Sequence, residues 1–71
     1  MWFTVLIDNV RCIEVNTDEG KALYEFTNPT TKETSVRWIE QSHVDSGPER
    51  AGETGTLELG FRYAKREGLI K

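Results

Sequence analysis

Apolar and polar residues alternate in short runs through the first forty positions, and the runs are separated by turn-forming residues. Trp2 to Ile7 is β-branched and aromatic, with Phe3, Val5 and Ile7 facing one way and Trp2, Thr4 and Leu6 the other. Apolar residues on both faces suit a central strand. Asp8-Asn9 is a weak turn signal, so Val10 to Val15 reads as a second strand or as a bulged continuation of the first. Asn16 to Gly20 and Asn28 to Glu33 are stronger turns. They bracket strands over Lys21 to Thr27, where Leu23 alternates with Tyr24 and Phe26, and Thr34 to Gln41, where Val36 and Trp38 share a face. The strands are therefore placed at about 2–8, 10–16, 21–27 and 34–41. Connections of hairpin length make the pairing antiparallel.

A polar stretch, 42–55, follows, rich in Gly, Ser and acid, and reads as a long flexible loop. Beyond it, two periodicities compete. At about 100° per residue, Leu57, Phe61 and Ala64 stack on one helical face and Glu58, Arg62, Lys65 and Arg66 lie opposite. Leu57, Leu59, Phe61 and Tyr63 also alternate with Thr56, Glu58, Gly60 and Arg62, as in a strand. The helical reading over 56–67 is preferred. It accounts for Ala64 to Glu67, places Lys65 and Arg66 in the last turn, and uses Gly68 as the C-cap with Leu69 as its apolar contact. Gly60 inside that helix would cost about 1 kcal/mol. The expected fold is α+β: a small antiparallel β-meander of three or four strands with one C-terminal α-helix packed on the sheet. All 71 residues belong to one domain in this reading.

Composition narrows the function classes. The formal charge of −3 gives no general attraction to nucleic acid or to anionic membranes. A single cysteine, Cys12, excludes an internal disulfide and fits a reducing compartment. The apolar N-terminus lacks a basic leader and reaches Asp8 after seven residues, so neither a signal peptide nor a membrane span is expected. A cytoplasmic location follows from these readings.

The residues with reactive side chains form no recognisable site. Ser42, His43 and Asp45 are too close in sequence for a catalytic triad and lack an oxyanion donor motif. Cys12 and His43 are too few for a structural zinc site, and the glycines match no phosphate-cradling pattern. Cys12 lies among Val10, Ile13 and Val15 and reads as a core residue. No metal, no cofactor and no enzymatic activity are expected.

Binding is the remaining class. Two groups of acidic residues stand out, one around the first turn (Glu14, Asp18, Glu19, with Glu25) and one in the 42–55 stretch (Asp45, Glu49, Glu53). Trp2, Tyr24 and Trp38 add large aromatic groups of the kind that dominate binding hot spots. The candidate protein-binding residues are therefore Trp2, Glu14, Asp18, Glu19, Tyr24, Trp38, Asp45, Glu49 and Glu53, directed at a larger protein or complex. Small size, acidity and absent chemistry together are similar, as a class, to stand-alone binding proteins of phages and mobile elements, including inhibitors of bacterial defence machinery such as CRISPR complexes. No matched motif carries that likeness. The alternative is a small DNA- or RNA-binding module using Arg62, Lys65 and Arg66 on the basic helix face, which the net charge disfavours. Homodimerisation through an open sheet edge is a further option.

Overall fold

The computed structural model describes residues 3–70. Its longest element is β1, Thr4–Asn16, followed by β2, Lys21–Thr27, and β3, Thr34–Glu40. A single 3-10 turn, Gln41–His43, leads to β4, Val44–Ser46. The chain ends with β5, Thr54–Gly60, running directly into α1, Phe61–Arg66. The five strands form one antiparallel sheet in the order β3-β2-β1-β5-β4. The class is α+β as expected, with five strands instead of three or four. The meander holds only for β1-β2-β3, because the chain then moves to the opposite edge.

β1 replaces the two strands expected at 2–8 and 10–16. Ile7 pairs with Leu57 and Val10 with Gly55, so Asp8 and Asn9 together face a single residue of β5. This is a β-bulge, and Asn9 takes a left-handed φ of 60° that its short polar side chain tolerates. The extra residue has a purpose legible in the pattern. Val5 and Ile7 precede the bulge and Val10 and Cys12 follow it, and only a one-residue shift in parity turns all four toward the same side. A second register shift between Cys12 and Glu14 leaves Ile13 as the extra residue opposite β2.

The connection from β3 to β4 forces the sheet to coil. In a flat sheet of five strands the edges lie about 19 Å apart. Glu40 and Val44 are joined by the three residues of the 3-10 turn, which reach at most about 14 Å. β1 carries two bulges, at Asp8-Asn9 and at Ile13, where a strand bends and its twist increases. The concave side of this coil holds the core, made of Val10, Cys12, Ala22, Tyr24, Ile39, Leu57, Leu59, Tyr63 and Ala64.

Two sequence expectations give way here. Residues 56–60, expected in a helix, are strand: Leu57 and Leu59 are fully buried and β5 hydrogen-bonds along β1 and β4. A helix there would remove the ladder partner of Thr4 to Ile7 and take Leu57 and Leu59 out of the core they fill. The helix begins only at Phe61 and lasts six residues. Its end is as expected. Gly68 has φ 74°, its N–H donates to Lys65 O (3.2 Å), and Leu69 N–H donates to Ala64 O (2.9 Å), the pattern of a glycine-closed C-terminus.

The stretch 42–55 is not a flexible loop. Besides the 3-10 turn and β4, it is tied to β1 by two backbone bonds, Cys12 N–H to Glu53 O (2.8 Å) and Gly52 N–H to Cys12 O (2.7 Å). The carboxylate of Glu53 accepts from the N–H groups of Glu49 and Arg50, both at 2.9 Å, closing the turn on itself. Pro48 is buried beneath it and its carbonyl accepts from the Tyr24 hydroxyl at 3.3 Å.

Candidate protein-binding face

The convex side of β1, β2 and β3 is a ladder of side chains read directly from the pairing register. Across the three strands, Glu40, Lys21 and Asn16 form one rung, Trp38, Leu23 and Glu14 the next, and Val36, Glu25 and Arg11 the third. Trp38 is 40% exposed and Val36 54% exposed, although both are large apolar groups in regular strand. Of the seven residues of β3 only Ile39 is buried. The Lys21 ammonium sits 5.3 Å from the centre of the Trp38 ring and 2.7 Å from a carboxylate oxygen of Glu19. That ammonium, first through its hydrogen bond and then through its charge, holds the Glu19 carboxyl below its ordinary range. The result is an apolar strip of Trp38, Leu23 and Val36 bordered by Glu14, Glu19, Glu25 and Glu40, with Arg11 and Lys21 as the cations among them.

β3 is also an edge. Among the described strands it pairs with β2 alone, in unbroken register from Lys21/Glu40 to Thr27/Thr34. It carries neither proline nor bulge, the devices that ordinarily blunt an edge.

The residues proposed from sequence separate into several places. Trp38, Glu14 and Glu19 gather on this face, with Asp18 in the adjoining turn 17–20. Tyr24 does not belong with them. It opposes Arg37 and Cys12, whereas Trp38 opposes Leu23, so the two rings lie on opposite faces of the sheet. Tyr24 is core, 1% exposed, and its hydroxyl, which accepts from Gln41 Nε2 at 3.3 Å, is pushed above its ordinary pKa by burial. Asp45 is exposed on β4, and Glu49 and Glu53 lie in the turn 47–53 at the other end of the strand order. Glu53 caps that turn, and the two backbone N–H groups it accepts from depress its pKa. Trp2 lies outside the described residues. Arg62, Lys65 and Arg66 are exposed on α1.

Cys12 is fully buried in the core, and desolvation raises its thiol pKa, which is the environment of an inert cysteine. Among the described residues no group of three or more His, Cys, Asp and Glu is placed to hold a metal ion. No described helix is long and apolar enough to cross a membrane.

Leu23 and Val36 belong to the strip although neither was singled out. The signal was present: Val36 shares the parity of Trp38, and a hairpin aligned on the turn 28–33 puts Leu23 opposite Trp38. A second set of exposed rings, Phe3 and Phe61, had no such signal, because they meet only through the pairing of β1 with β5, which continues past Thr4 and Gly60 to a bond from Phe61 N–H to Phe3 O (2.9 Å). No protein-family model, curated protein or solved structure matches this chain.

Proposed function

We propose that this protein is a non-enzymatic binding protein that docks the convex face of β2 and β3 onto a larger protein. One observation carries the reading. β3 displays Trp38 and Val36 to solvent on an open, unbulged edge, an arrangement that adds nothing to the core of so small a domain. Apolar surface left exposed in a contiguous strip marks a contact site, and a tryptophan at its centre is the residue type that anchors one. Four carboxylates around the strip select a partner surface that is apolar at its centre and basic at its rim. In its finer form, the protein is a phage- or mobile-element-type inhibitor that acts in the cytoplasm by occupying a surface of a bacterial defence complex of the CRISPR kind. That form rests on the class likeness in size, acidity and absent chemistry.

The experiment is capture of partners from host lysate with tagged protein, run in parallel with Trp38→Ala and Val36→Lys variants and with nuclease treatment. The expected outcome is a stoichiometric protein partner that survives nuclease and disappears with either variant, while the circular dichroism of the variants stays that of the native chain. A partner retained at full stoichiometry by both variants would remove β3 from the interface. Recovery lost on nuclease treatment would favour nucleic acid instead.

A further inference from the structure

Between α1 and the 3-10 turn, past the C-terminal end of β3, lies a cleft of about 550 Å³ lined by Phe3, His43, Phe61, Arg62, Tyr63 and Arg66. Its volume is within the range of small-molecule sites, roughly 300–1,000 Å³. Three parts of the chain meet in it: the residue preceding β1, the 3-10 turn, and α1. Phe3 is 63% exposed and Phe61 39% exposed, so two phenyl rings face the opening without an apolar cover. The imidazole of His43 lies flat on Tyr63, with ring centres 4.1 Å apart and planes inclined by 14°. The Arg66 guanidinium is 5.3 Å from the same Tyr63 ring, and the Lys65 ammonium is 5.8 Å from that of Phe61.

The charge of the cleft is opposite to that of the chain. Arg62 and Arg66 are one helical turn apart on α1, with Lys65 beside them. Arg62 makes no ion pair among the described residues. The facing carboxylates are Glu67, 3.8 Å from Arg66 Nε, and Glu40, 3.4 Å from His43 Nε2. Planar apolar rings and forked cations in one small cleft recognise a planar group that carries an anion: the rings receive the plane and the guanidinium groups receive the charge.

We propose that this cleft binds a nucleotide, with its base stacked among Phe3, His43 and Phe61 and its phosphate held by Arg62 and Arg66. The nucleotide is either free or one unit of a single strand, since both present the same base and phosphate. The cleft touches the end of β3 through Glu40, whose N–H donates to the Tyr63 hydroxyl, but uses none of Trp38, Leu23 and Val36, so its success or failure leaves the protein-docking reading untouched. The rings stack on any base, so the site is tolerant of sequence, and the small number of cations makes it weakly salt-dependent compared with a duplex-binding surface.

The test is titration of the isotope-labelled chain with adenosine monophosphate, with a short oligothymidylate and with inorganic phosphate, followed by NMR at low salt. Shifts confined to Phe3, His43, Phe61 and the α1 amides are expected with at least one of the two nucleotide ligands. Phe3→Ala, and Arg62→Gln with Arg66→Gln, should each weaken that ligand by about tenfold or more, while Trp38→Ala should not. Oligothymidylate binding far tighter than the mononucleotide assigns the site to single strands, and comparable affinities assign it to free nucleotides. Three results overturn the proposal: no shift with either nucleotide, equal affinity for inorganic phosphate, or unchanged affinity in both variants. Phe3, Arg62 and Arg66 are exposed, so these substitutions leave the core intact.

Discussion

β3 and β5 are both seven-residue strands, yet the sheet uses them in opposite ways. β5 lies between β1 and β4, with Leu57 and Leu59 wholly buried and Gly60 buried at its end. β3 hangs on β2 by one side and buries Ile39 alone. In a chain this small, apolar side chains are scarce and most are needed to hold the fold together. One strand is given over to the core, while the other keeps a tryptophan and a valine outside it. The difference separates stability from recognition: changes in β5 should act on folding, and changes on the outer face of β3 should act on binding.

The sharpest way to break that separation is Leu59→Ala. It removes a fully buried leucine that opposes Val5 across the sheet and Val44 on the other side. Loss of transfer energy together with the cavity left behind amounts to about 2–5 kcal/mol, a large part of what a domain of this size has. The variant is expected to be substantially unfolded by circular dichroism at 37 °C. Trp38→Ala, made beside it, should change stability by about 1 kcal/mol or less and abolish partner capture. If the two substitutions destabilised the chain equally, Trp38 would be a structural residue and the contrast would fail.

A smaller effect is expected where β5 meets the preceding turn. Gly47 has φ 151°, a conformation that side chains rarely adopt, and a Cβ there would stand 2.7 Å from Leu57 Cδ1 and 3.2 Å from Leu57 Cα. The methyl end of Leu57 is locked in the core and its Cα is part of β5, held between β1 and β4, so neither can give way. Gly47→Ala should cost about 1–3 kcal/mol, lowering the denaturation midpoint in urea without altering its slope. Gly52, whose Cβ would meet nothing within 4 Å although its φ is 93°, isolates the backbone contribution from the steric one. The Gly47 variant should be the more damaging of the two.

The contrast also explains what could be read from the sequence. β3 was legible because its determinants are local. Asn28 accepts from the N–H groups of Thr30 and Thr31 and fixes the turn before it, and alternation then puts Val36 and Trp38 on one side. The C-terminal stop was legible for the same reason, since Gly68 acts within its own turn. β5 was not, because Leu57 and Leu59 fit both periods and the decision is made by their β1 partners Ile7 and Val5, at the other end of the chain. The turn 47–53 was read as a flexible loop because its anchors are the backbone of Cys12 and the hydroxyl of Tyr24, neither of which its own composition announces. Of the candidate site, the tryptophan and its acids were visible. The misplacement of Tyr24 came from counting aromatics without pairing them, since the hairpin register alone puts it on the face opposite Trp38.

The smallest effect concerns the one acidic residue of that turn whose carboxylate is engaged by the backbone. Glu53 is exposed, and its pKa is held below the ordinary value of 4.5 by the N–H groups of Glu49 and Arg50. In the unfolded chain those bonds are absent and the carboxyl titrates at its ordinary value. The unfolded state therefore takes up a proton first, and the stabilisation by ionised Glu53 is present above pH 4.5 and is lost as pH falls through the lower folded value. Opening should be confined to the turn, because Cys12 and Tyr24 keep their places in the core. The amide protection factors of Glu49 and Arg50, corrected for intrinsic exchange, should fall over this acid range while those of Leu57 and Leu59 hold. Glu53→Gln should flatten the pH dependence, because its amide oxygen accepts the same two bonds without titrating. If protection across β5 collapsed together with that of the turn, 47–53 and β5 would form one cooperative unit. The buried strand would then owe part of its stability to a carboxylate on the surface.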